Sequence, residues 1–197
     1  MANLITLEEY KVSKGIESLK EDAKLTALVV SVSQLVKTYC GNSFVDYYAA
    51  DKTETFNVEY EAHTIQLTES PVNSITSVEE RLTYADAYVA LTVGAQEYYF
   101  EPNTDSIYRT TGAGWKNWPI GPGSVKVLYK AGYATIPADL KLAIIDLITY
   151  YHKEEYKERR TIGSASITNI TTSSQWRNVS FPDHIKRILD LYKQIQV

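Results

Sequence analysis

Two long apolar stripes with helical period flank the middle of this chain, and between them the period shortens to that of a strand. Leu25, Leu28, Val29, Val32, Leu35, Val36 and Tyr39 recur at helical spacing, which puts them on one face of a helix. Leu140, Ile144, Leu147, Ile148 and Tyr151 form the second stripe. Neither helix can bury such a stripe alone, so the two are expected to pack on each other. The stretch between them then becomes an elaboration. The expected fold class is α+β: a discontinuous helical core, residues 1–44 plus 134–197, with an inserted antiparallel β-rich subdomain, residues 45–133.

Local signals set the helix limits. Thr6-Leu-Glu-Glu9 has the form of a capping box, and Gly15 breaks the short helix it opens. Ser18-Leu-Lys-Glu21 reads as a second box, which predicts a helix over 19–40 with Gly41-Asn42 as its stop. Pro137 suits the first turn of the next helix, where a missing N–H costs nothing. Lys153 to Arg160 continues that helix as a charged, solvated face, and Gly163 to Ser174 reads as a polar loop. Ser180-Phe-Pro-Asp183 starts a final helix with the stripe Ile185, Ile188, Leu189, Tyr192 and Ile195.

In the middle, Phe56, Val58 and Tyr60 alternate with polar neighbours, as do Val125, Val127 and Tyr129. His63–Leu67, Glu97–Glu101 and Ser106–Thr110 are further short strands, punctuated by Pro and Gly. Close spacing predicts antiparallel pairing in a small sandwich or open barrel. Most of the 16 tyrosines lie here. A tyrosine on a small sheet buries its ring and keeps its hydroxyl wet, which suits a thin domain or a subunit interface.

Few chemistries survive a search for their residues. His63 follows Glu59 and Glu61 at strand spacing, and His152 stands three residues before Glu155, but both patterns are explained by solvated surface. There is no Gly-x-Ser-x-Gly elbow and no Walker loop. Gly112-Ala-Gly114 lacks the third glycine of a dinucleotide loop and leads to a strand. Asp146 is expected on the solvent face or paired with a base from another helix. The single cysteine, Cys40, forbids an internal disulfide and reads as a buried small hydrophobe. No enzyme, cofactor or metal site is expected.

A net charge of −4 argues against broad coating of nucleic acid. The N-terminus lacks the n- and h-regions of a signal peptide, so synthesis in the cytoplasm is expected. No stretch is long enough to cross a bilayer, and the sequons at Asn169 and Asn178 carry little weight. Two features suggest contact instead. Trp115 and Trp118 stand among glycines and a proline, either as an anchor for a partner or folded back over the sheet end. Lys157, Arg159 and Arg160 collect near a helix end, where they could meet an acidic rim or passing DNA.

The junctions of the blocks carry three phrases: Leu35-Val-Lys-Thr-Tyr-Cys-Gly-Asn-Ser-Phe44, Leu67-Thr-Glu-Ser-Pro-Val-Asn-Ser-Ile-Thr-Ser-Val78 and Val125-Lys-Val-Leu-Tyr-Lys-Ala-Gly-Tyr-Ala-Thr-Ile-Pro-Ala-Asp-Leu140. In this order the chain resembles the head–tail connector (adaptor, or head-completion) proteins of tailed bacteriophages, over roughly residues 4 to 158. The resemblance maps their parts onto Leu7–Lys11, Leu19–Cys40, Val45–Lys130 and Pro137–Tyr156. It implies a non-enzymatic virion protein of the neck. Such a protein forms a dodecameric ring of its own copies on the portal, extends the DNA channel without reading sequence, and presents a surface to a tail or stopper protein. The family's habit of docking through its C-terminal region makes Arg187, Leu191, Tyr192, Lys193, Ile195 and Val197 portal-contact candidates. Trp115, Trp118, Tyr47 and Tyr48 are candidates for subunit or tail contact, and Lys157, Arg159 and Arg160 for the channel or rim. Other readings are a tail-completion ring protein and, from a different class, a carbohydrate- or receptor-binding module resting on the tryptophan loop and the tyrosines.

Overall fold

The computed structural model describes residues 2–155 and 181–193. It divides into two compact units, one from residues 2–40, 136–155 and 181–193, the other from residues 41–135.

The first unit is helical: α1 (Leu7–Lys14), α2 (Asp22–Cys40), α3 (Ala138–His152) and α4 (Asp183–Leu191). The capping box at α1 forms in full. Thr6 Oγ1 accepts from Glu9 N and the Glu9 carboxylate accepts from Thr6 N, while Gly15 ends the helix at φ 64°. The expected box at Ser18 does not form. Ser18 Oγ accepts from Lys20 N, and the Glu21 carboxylate lies 3.0 Å from His152 Nε2 on α3. With its reciprocal carboxylate engaged elsewhere, α2 starts at Asp22 instead of residue 19. Pro137 caps α3 rather than opening its first turn. The helix ends at His152, short of residue 156, as Glu154 turns to φ 54°.

Both predicted stripes face inward. Leu25, Val29, Val32 and Val36 of α2 are buried with Leu140, Ile144, Leu147 and Ile148 of α3, while Leu28 is only half-buried. Phe181, Ile185 and Leu189 bury α4 in the same unit. Polar ties close the bundle: Tyr10 Oη lies 3.3 Å from Thr149 Oγ1, Lys141 reaches Glu9 at 2.6 Å, and Lys14 reaches Asp146 at 3.2 Å. Asp146 thus pairs with a base from another helix.

The second unit holds β1 (Lys52–Val58), β2 (Thr64–Gln66), β3 (Val72–Glu80), β4 (Val89–Ala90), β5 (Tyr98–Glu101), β6 (Ser106–Arg109) and β7 (Gly121–Ala131). They form a four-stranded sheet, β1-β7-β3-β4, and a three-stranded sheet, β2-β6-β5, all pairs antiparallel. Val58, Ile65, Val78, Ile107, Trp118, Val125 and Val127 form one core fed by both sheets, so the expected antiparallel β-rich middle is present as two sheets over a shared interior. Tyr60 leaves the strand it was expected to extend and lies 75% exposed. β3 was not legible as a strand. Its pairing with β7 shifts register between Val72 and Ser74 and again between Ile75 and Ser77, and each bulge breaks the alternation of apolar and polar positions.

Candidate interaction surfaces

The three junction phrases meet in space within the β unit. Asn42 Nδ2 donates to Ser70 O at 2.5 Å, and Ser43 N and Oγ both donate to Glu69 Oε2 at 2.8 Å. Gly132 N donates to Pro71 O at 2.8 Å, and Tyr133 N to Phe44 O at 2.6 Å. A Cβ on Gly132 would stand 2.2 Å from that Phe44 oxygen, and its φ of 103° excludes most side chains as well. Phe44 is itself buried at φ 63°, a conformation a bulky residue holds only when its surroundings dictate it. The phrases therefore form a clasp where the chain enters and leaves the unit.

Beside the clasp lies a polar network. Glu54 accepts from Tyr129 Oη at 2.8 Å, from Thr68 N at 3.2 Å and from Thr68 Oγ1. Lys52 bridges Glu54 and Glu69 at 2.9 and 3.1 Å. Burial first, then the Glu54 carboxylate, pushes the Tyr129 hydroxyl well above the usual tyrosine range. Its full pairing and burial mark it as structural.

Of the two candidate indoles, one is inside. Trp118 is 1% exposed and belongs to the core, which removes it from the contact candidates. Its burial follows from its backbone, since Trp118 N donates to Ala62 O and carries the residue under the sheet. Arg109 lies near it, with its guanidinium carbon 6.0 Å from the ring centroid.

Trp115 is 64% exposed, and its ring lies 5.2 Å from Tyr108 and 5.3 Å from His63. Tyr108 pairs across the strands with Tyr99, ring to ring at 6.3 Å. Strand alternation sends Ile107 inward and Tyr108 outward. An aromatic row thus runs across the outer face of β5 and β6 toward β2. Carboxylates stand with it. Glu101 accepts from Tyr99 Oη at 3.0 Å, and Glu97 accepts from Thr92 N at 2.8 Å. These bonds hold both acids below the usual carboxylate range: the backbone N–H of Asn103 is the main cause for Glu101 and that of Thr92 for Glu97. Glu59 and Glu61 are exposed just ahead of His63. Sequence reading found Trp115 but missed Tyr99, Tyr108 and His63 as its company, because the register 99↔108 is not written in either strand alone.

Tyr47 is half-buried, with Lys52 Nζ 5.5 Å from its ring centroid, and Tyr48 is 45% exposed. On α4, Arg187, Leu191 and Lys193 are exposed, whereas Tyr192 is half-buried and donates to Asp139 at 2.7 Å. Tyr39 donates to Asp190 at 2.5 Å, and Cys40 Sγ donates to Leu189 O at 3.6 Å. Burial pushes the Cys40 thiol up to about 12, so it packs and does not react. Lys157, Arg159, Arg160, Ile195, Val197 and the polar loop at 163–174 lie outside the described residues. Among the described residues no group of three His, Cys, Asp or Glu side chains is placed to hold a metal ion, and no helix is long and apolar enough to cross a membrane.

A family model described as "Head completion protein" matches residues 3–195. The head completion protein of Escherichia phage T5 is 25% identical over 193 residues, covering 98% of this chain and 99% of that protein. The fold is similar to that of a chain in the neck of an empty gene transfer agent particle, with a TM-score of 0.60 at 16% identity over 98% of this chain and 91% of that one. It is also similar to a chain in the neck of the native particle treated with C12 symmetry, at a TM-score of 0.58 and 15% identity over 100% and 97%.

Proposed function

The chain belongs to the head completion protein family, and on that premise we propose that it is a structural virion protein of a phage neck. It closes the DNA-filled head and joins it to the tail, as a ring of twelve copies beneath the portal. The observation that carries this reading is the extent of the match. Family similarity runs from residue 3 to residue 195, through both units and every junction phrase, so the insert is part of what the family holds in common. The ring stoichiometry draws support from the C12 symmetry of the neck in which a similar fold occurs. The buried ionisable clusters, Lys52 with Glu54 and Glu69 and Arg109 with Glu80, are paired within the fold, which suits a structural part.

Portal contact is assigned to the exposed side of α4, through Arg187, Leu191 and Lys193, together with Ile195 and Val197 beyond it. Tyr192 serves α4 from within, by its bond to Asp139. Lys157, Arg159 and Arg160 remain candidates for the rim or channel, and Tyr48 and Trp115 for neighbouring subunits or a tail-side protein. The decisive experiment uses point changes, because Phe181, Ile185 and Leu189 are core and deleting α4 would unfold what it is meant to test. Arg187→Glu with Leu191→Asp should leave a folded protein that no longer binds purified portal rings, and particles carrying it should be DNA-filled heads that leak and lack tails. Normal yields of complete particles with that variant would move the portal contact elsewhere. A neck map without this protein would sink the reading as a whole.

A further inference from the structure

We propose that the aromatic face of the three-stranded sheet is a docking surface for a second copy of this chain, through that copy's residues 156–180. The inference rests on the ring reading above and names the contact that would close the ring.

A ring of identical copies is built head to tail, and such an interface needs two different, complementary surfaces on one chain. The first is the row Tyr99, Tyr108, Trp115 and His63, whose rings are tilted on one another with centroids 5.2–6.3 Å apart. Trp115 and Tyr99 are 64% and 51% exposed, large apolar area for a sheet already packed on its other side. The carboxylates of Glu97 and Glu101 stand with this row, and both stay ionised because their hydrogen bonds favour the charged form. Rings edged with fixed negative charge favour cationic side chains lying over them and repel the phosphates of DNA.

The second surface is chosen by charge. Residues 156–180 carry Lys157, Arg159, Arg160 and Arg177 against one carboxylate, Glu158, in a chain whose net charge is −4. Its sign opposes that of the aromatic face, and its apolar Ile162, Ile167, Ile170 and Trp176 stand between the cations and polar residues. Held at residues 155 and 181, its 25 residues can carry their midpoint at most roughly 40 Å outward, at about 3.3 Å per extended residue.

The test is a photo-cross-link in assembled necks. A photoreactive phenylalanine replaces Trp115 in the full-length protein, which is assembled with isotopically heavy wild-type copies. The expected link joins position 115 of the light chain to a heavy peptide within 156–180. Links to the light chain's own segment, to any other region, or to a tail-side protein overturn the proposal. Charge reversal gives an independent check. Glu97→Lys with Glu101→Lys should lower incorporation at least tenfold while melting remains cooperative, and adding Lys157→Glu and Arg159→Glu should restore it. Failure of the second pair to rescue counts against the contact. The copy number in wild-type necks separates the two claims. Twelve copies with links elsewhere reject only this contact, and absence from the neck rejects the ring.

Discussion

Arg109 on the three-stranded sheet grips Glu80 on the four-stranded sheet with two parallel hydrogen bonds, Nε to Oε2 at 2.9 Å and Nη2 to Oε1 at 2.8 Å. Both hydrogens of Nη1 are used too, bonded to Glu97 O and Thr110 O at 2.6 and 2.9 Å. The side chain is only 4% exposed. Removing one member of a buried pair leaves the other charge stranded, which costs about 3–5 kcal/mol. Arg109→Met should therefore destabilise the β unit by that amount in urea titration. Adding Glu80→Met should recover part of the loss, and strict additivity of the two would mean that they do not act as a pair.

The indole nitrogen of Trp118 has no hydrogen-bond partner among the described residues, so the ring contributes volume rather than a bond. Trp118→Phe should then be clearly milder than Trp118→Ala, for which a loss of about 3–5 kcal/mol is expected. Trp115→Ala should change stability by less than about 0.5 kcal/mol, as an exposed position does. Thermal melts of the three variants check the order. Equal losses at 115 and 118 would mean that both indoles are core.

Leu147 is fully buried in the helical unit and Leu142, on the same helix, is 55% exposed. Leu147→Ala should cost about 2–5 kcal/mol and Leu142→Ala almost nothing. Denaturation midpoints for the pair measure how much of the stability lies in the two apolar stripes. A loss below about 0.5 kcal/mol at Leu147 would refute the shared helical core.

Acid should weaken the helical unit through Glu9. Its bond from Lys141 is the main cause holding its carboxyl below the ordinary value, followed by the backbone N–H of Thr6. A depressed folded value means that the contribution is present above the unfolded pKa and is lost as pH falls through the folded one. The window therefore opens below about pH 4.5. Both partners are partly exposed, so the effect is less than about 1 kcal/mol and shrinks with salt. Glu9→Gln should flatten the acid limb of a stability–pH curve at low ionic strength. An unchanged limb would show that the pair contributes nothing.

Legibility followed the range of the determining contact. α2 and α3 were readable because their stripes keep period over several turns, and Thr6 because its reciprocal partner is three residues away. Ser18 misled because the carboxylate it needed is drawn to His152, more than a hundred residues on. β3 was hidden by bulges that only its partner strand defines. Trp115 and Trp118 are three residues apart in one loop, and what separates them is a hydrogen bond to Ala62 and a bridge from Thr110 to Trp115. The junction phrases were visible as wording, but their joint purpose appears only where Asn42, Glu69 and Gly132 converge.

That convergence decides how the β unit carries load. The first residue of β1, Lys52, pairs with Tyr129 close to the end of β7, so the chain enters and leaves the unit from one end of an antiparallel pair. Tension between residues 41 and 135 would peel such a pair open one rung at a time, the weakest way to pull a sheet apart. The clasp stands ahead of the first rung, and its bonds from Asn42, Ser43, Gly132 and Tyr133 take the strain together before Lys52 and Tyr129 can separate. This small group of bonds is therefore the first part of the unit that such a pull would load.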